Sequence, residues 1–220
     1  MRARLFAVGG LLGAVALAAC GGGGAKVSSA TLELRLLPAS SVPGFGLQRR
    51  FDWSDPVNLV VEGMYLPQAL HPSAAVKEVQ DSSFDGGAGE VLATGSGPEA
   101  TEARVGVAKF GSSGDAAAVR DWMHHEDGQQ PCFGQCTFAP QARTIKAVPA
   151  ARFVVQSGTA RPLPPGAPKN AKLGPPPANY MAEFTIGPYL YWAFLQGDAS
   201  AQSRFEEGVA LYYQHAKQAR

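Results

Sequence analysis

Tyr180-Met181-Ala182-Glu183-Phe184-Thr185-Ile186-Gly187-Pro188-Tyr189-Leu190-Tyr191-Trp192-Ala193-Phe194-Leu195-Gln196 is dense in aromatic and branched side chains on both sides of a Gly-Pro break. Such composition favours two strands joined by a tight turn, Tyr180–Ile186 and Tyr189–Gln196. In the second, Tyr189, Tyr191, Ala193 and Leu195 alternate with Leu190, Trp192 and Phe194. A strand apolar on both faces needs cover on both, which predicts a central position in a sheet. Downstream, Phe205, Val209, Tyr212 and Ala216 recur at i, i+4, i+7 and i+11, the stripe of a helix over about 200–218 that packs back on the sheet. Phe184, Trp192, Phe194, Phe205 and Val209 are the expected core. Most of these aromatics read as core; a ligand groove, if one is left open, is expected beside Tyr191 and Tyr212, with phenol hydroxyls as orienting groups.

Working back toward the N-terminus, Thr144–Val148 and Arg152–Ser157 look like a hairpin around Pro149-Ala150. Segment 158–178, with seven prolines, reads as an extended surface loop. Ser112 to Asp115 has capping-box spacing, with Asp in place of the usual Glu, and opens a helix to about Glu126 with Val119, Trp122 and Met123 inward. Glu90–Thr94 and Ala103–Phe110 read as an antiparallel pair. Pro72–Ser82 reads as a short helix with Ala75, Val76 and Val79 inward. Asp55-Pro56 reads as N-cap and first residue of another, with Val57, Val60, Val61 and Met64 on one face. Leu32, Leu34 and Leu36 alternate with Glu33 and Arg35, which predicts a strand over Thr31–Leu37. Strands interleaved with helices in this order imply an α+β domain, a curved antiparallel sheet packed against helices, over residues 31–220.

Composition narrows the function. The 220 residues are 45% apolar and 17% charged, and the net charge of +1 comes without a Lys/Arg cluster, which argues against a nucleic-acid partner. No catalytic, cofactor or metal set is read. His124 and His125 diverge by about 100° on a helix; they suit a solvated, dipole-favoured helix end better than a surface metal site with Glu126 and Asp127. Ser112 lies between a strand and a helix, where a nucleophile elbow would place it, but Gly111-Ser112-Ser113-Gly114 is one residue short and an N-cap explains the serine. Cys132 and Cys136 flank Gly134 in a loop and are expected to form a disulfide closing a small ring, worth roughly 2 kcal/mol; redox or metal use is the alternative reading.

At the N-terminus, Arg2 and Arg4 precede an uncharged run, Leu5 to Ala19, of 15 residues. That is shorter than the roughly 20 residues that span a hydrocarbon core, so it reads as a secretory signal. With Leu17-Ala18-Ala19-Cys20 and the glycines behind it, the chain resembles a bacterial lipoprotein precursor. The resemblance implies cleavage after residue 19, lipidation of Cys20, an oxidising extracytoplasmic location and attachment to the membrane through the acyl chains. Residues 20–30 are expected to be a helix-free flexible tether with a reach of roughly 17 Å. Loss of Arg2 and Arg4 takes the net charge from +1 to −1. The body, through Leu37-Pro38, Val42-Pro43-Gly44-Phe45 and the closing aromatic hairpin and helix, is similar to small lipoproteins of high-GC actinobacteria and hints at a PsbP-type α+β sandwich. Three functions fit: a non-catalytic binding or accessory module for an apolar small molecule or envelope protein, an envelope hydrolase or other enzyme, and a structural partner of an envelope complex. A shallow aromatic groove favours the first, and a deep pocket with an acid/base pair the second.

Overall fold

The computed structural model describes residues 26–64, 72–95, 101–127, 139–158 and 177–219. Seven strands, β1 (Gly46–Trp53), β2 (Gly86–Ala93), β3 (Glu102–Lys109), β4 (Ala139–Arg143), β5 (Arg152–Ser157), β6 (Pro177–Ile186) and β7 (Tyr189–Asp198), form one sheet in the order β1-β2-β3-β7-β6-β5-β4. Every neighbouring pair is antiparallel, so the domain is α+β, with β7 at the centre as its two apolar faces require. Gly187 turns β6 into β7 at φ 58°, a conformation that glycine adopts without strain.

Two layers cover the sheet. On one face, α5 (Gln202–Gln218) buries Phe205, Val209, Tyr212 and Ala216 against Tyr180, Phe184, Tyr191, Ala193 and Leu195. The short helix α1 (Ser29–Glu33) adds Leu32 to the same core. On the other face, α2 (Pro56–Asn58), its π-helical continuation Leu59–Gly63, α3 (Pro72–Asp81) and α4 (Ser113–Asp127) enclose Trp53, Leu190 and Trp192. The capping signals hold. The Asp55 carboxylate accepts from the Asn58 amide at 3.0 Å, and the Ser112 hydroxyl accepts from the Asp115 amide at 3.1 Å. Ser112 therefore opens α4 as its cap. Val119 and Met123 are buried beneath that helix and Trp122 partly so.

Elsewhere tertiary structure overrides local pattern. Thr31–Leu37 is no strand: the Ser28 side chain caps α1, and the helical turn puts Leu32 and Leu36 inward while Leu34 is 75% exposed. The helix also begins inside the segment expected to be a helix-free tether, and Val27 already docks there, its amide donating to Asp85 Oδ1 at 3.3 Å. After α2, the Met64 amide reaches back five residues to Leu59 O. This π turn shifts the face by one residue, so Leu59, Val60 and Met64 are buried while Val57 and Val61 stay exposed. The partner of β5 is Ala139–Arg143, and Thr144–Val148 lies in the connection, with Ile145 and Val148 pressed into the α5-side core. β1 and the start of β2 carry no clean alternation. In β2 the glycines make room for an indole, because a Cβ on Gly89 would overlap Trp53. Cys20, Cys132, Cys136 and His71 lie outside the described residues, as does most of the proline-rich segment.

Candidate functional site

Between one flank of α5 and the segment from Leu37 to Phe45 runs a half-open groove, floored by Leu92 of β2, Val105 of β3 and Leu195 of β7. Its walls are almost entirely carbon, and it encloses about 50 Å³. That is well below the roughly 150 Å³ of an apolar cavity that takes benzene. Only a slender aliphatic group fits inside, with the open side accepting the rest.

Two residues of α5 give the groove its shape. Arg204 and Gly208 stand four residues apart, one above the other on the same flank. A Cβ at Gly208 would meet nothing within 4 Å, and its φ lies outside the left-handed region. Neither packing nor backbone geometry demands glycine here. Mid-helix glycine is destabilising by roughly 0.5–1 kcal/mol relative to alanine. Gly208 lines the groove without adding a side chain to its wall. Arg204, exposed at the rim, also borders a polar depression formed by Thr101, Gly197, Asp198 and Ser200. Among the described residues its guanidinium makes no hydrogen bond or ion pair. The neighbouring Asp198 carboxyl is held below its usual range chiefly by the Ser200 hydroxyl and amide, with Arg204 adding a smaller effect.

The two tyrosines separate. Tyr212 lines the groove with its ring, while its hydroxyl donates to Gly106 O at 2.9 Å; burial pushes the phenol well above its ordinary range. Tyr191 is fully buried, stacked on Phe184 at 5.0 Å, and its hydroxyl accepts from Arg35 Nη1 at 3.2 Å. Desolvation raises its pKa too, partly offset by Arg35. Both phenols stay neutral and are engaged within the protein, so the groove's cation is Arg204 and no tyrosine hydroxyl is left to orient a ligand there. The residue type that defines the groove, a helical glycine one turn from an arginine, carries no motif.

Buried charge lies outside the groove. Arg50 Nε donates to Glu90 Oε1 at 2.9 Å, tying the edge strand to β2. On the opposite face, Glu183 of β6 is buried 3.8 Å from His124 Nδ1 of α4, beside a cavity of about 20 Å³ that holds little more than a water. Of these two openings the apolar groove is the roomier.

Fold and groove together define an open-sheet α+β domain with a carbon-lined groove beside its C-terminal helix. No protein-family model matches the chain, and no curated protein matches it. Among solved structures, the extracellular domain of PknH from Mycobacterium tuberculosis is similar, with a TM-score of 0.55 at 13% identity, over 88% of this chain and 97% of that one. At that identity the likeness establishes the fold.

Proposed function

We propose that the protein is a lipoprotein of the bacterial cell envelope, anchored through acylated Cys20, whose extracytoplasmic domain binds a ligand without transforming it. The groove along α5 carries this reading, because it is apolar and half-open, with Gly208 adding no side chain to its wall. The signal plan of residues 1–20 supports the location, and the likeness to a domain described as extracellular agrees with it. Lys26 Nζ donates to Ser54 O at 3.2 Å where the chain enters the domain, at the end of the sheet opposite the groove. The occupant of the groove is therefore presented away from the point of attachment.

Native mass spectrometry of full-length protein released from membranes tests the reading. Wild type and Gly208→Ala are expected to carry a bound mass that Gly208→Leu, with its groove filled, lacks. Identical spectra for all three, with no bound mass in any, would contradict it.

A further inference from the structure

We infer that the groove takes the hydrocarbon chain of a free single-chain anionic amphiphile, a fatty-acid-like carboxylate, lying along α5 with its head group at Arg204. The inference rests on the binding-module reading and names its ligand class. The enclosed space, about 50 Å³, is well below that of a cavity that takes benzene, so only part of an unbranched chain fits inside. Its walls supply no polar partner, so the part of the ligand inside must be hydrocarbon. At one end stands the Arg204 guanidinium, which makes no hydrogen bond or ion pair among the described residues beyond its electrostatic pull on nearby Asp198 and is shaped to receive a carboxylate in two parallel hydrogen bonds.

The helix flank continues the same chemistry. Leu211, 49% exposed, follows Gly208 on the Arg204 side of α5, and one turn further His215 holds Leu34 O at 3.0 Å. That bond brings the end of α1, with its exposed Leu34, against the same flank. Arg204 to Leu211 is about 10 Å of helix, the reach of a medium-length chain. Gly208 lies between them, where a side chain as long as leucine would stand in the path while alanine would not. The cation at one end and the carbon at the other match an amphiphile better than a wholly apolar molecule.

A free amphiphile is favoured over a lipid seated in the anchoring bilayer by the place of the head group, because Arg204 stands at the end of the groove away from α1, where the chain enters. Val27 packs against Gly86 at the start of β2, whereas Leu92 of the groove floor lies at its end, about 20 Å away.

Equilibrium dialysis of labelled decanoate, below its micelle concentration, against the full lipidated protein in phosphatidylcholine nanodiscs tests the proposal, with empty discs as the baseline. One saturable site per chain is expected above that baseline. Gly208→Leu should abolish it while melting no lower than wild type. Arg204→Gln should weaken decanoate about tenfold and leave decanol unchanged. The proposal is overturned by no binding above empty discs, by binding that survives Gly208→Leu, or by an Arg204→Gln effect equal for acid and alcohol. If decanoate fails while the bound mass lost in Gly208→Leu persists in wild type, the binding module stands and the amphiphile does not.

Discussion

Replacing Trp192 with alanine is expected to remove about 3–5 kcal/mol, much of the 5–15 kcal/mol that holds a typical domain together. Trp192 sits in the middle of the central strand and is 4% exposed. Its indole packs 5.9 Å from that of Trp53, and its Nε1–H donates to Gly63 O at 2.9 Å, fastening the π-helical turn to the sheet. Alanine would leave both a cavity and an unpartnered buried carbonyl. The indole lies over Gly106 of β3, where a Cβ would overlap it. Gly106→Val should therefore destabilise through the same contact, by about 1–3 kcal/mol or more. Combining the two should cost less than their sum, because valine fits once the indole is gone. Denaturant melts of the four proteins give the comparison. A Trp192→Ala midpoint within error of wild type, or strict additivity in the double variant, would refute this packing.

Cys20→Ala should eliminate the lipid-modified mature form altogether. Lipidation needs the thiol, and cleavage just ahead of residue 20 follows it in the lipoprotein class that residues 1–20 resemble. Burial contributes about 0.8 kcal/mol per methylene, so two or three acyl chains hold a protein that a single chain would hold only marginally. Mass spectrometry of membrane and soluble fractions is expected to find the variant as uncleaved precursor or released protein. Normal cleavage with unchanged membrane partition would rule out this anchor.

How much of this architecture was legible depended on whether the signal lay within one element. The β6–β7 hairpin and α5 were readable because their alternation and i, i+4, i+7 stripe are complete in the local sequence. Asp55 and Ser112 were readable because a cap bonds within three residues. The Leu32–Leu36 alternation misled, since the Ser28 cap and the core beneath α1 selected a helix. The Val57–Met64 stripe misled because a π turn changes the period from which the face is read. The strand expected to start at Glu90 begins at Gly86, because Gly87 and Gly89 answer to Trp53, more than thirty positions away. The groove was half legible: Tyr212 lies in it, but Tyr191 is sealed beneath it. Gly208 and Arg204 acquire meaning only when α5 lies beside Leu37 and Phe45, a tertiary relation that no local pattern encodes.

The proposed binding lies on the α5 side of the sheet, in the groove, and not on the α4 side. Methyl-resolved NMR of the full-length protein in nanodiscs, titrated with decanoate, addresses it directly, since each face carries its own reporters. Saturating shifts are expected at Leu37, Leu92, Val105 and Val209, with Leu59, Val60, Val119 and Leu190 unmoved. Shifts confined to the second set, or spread evenly over both, would contradict it.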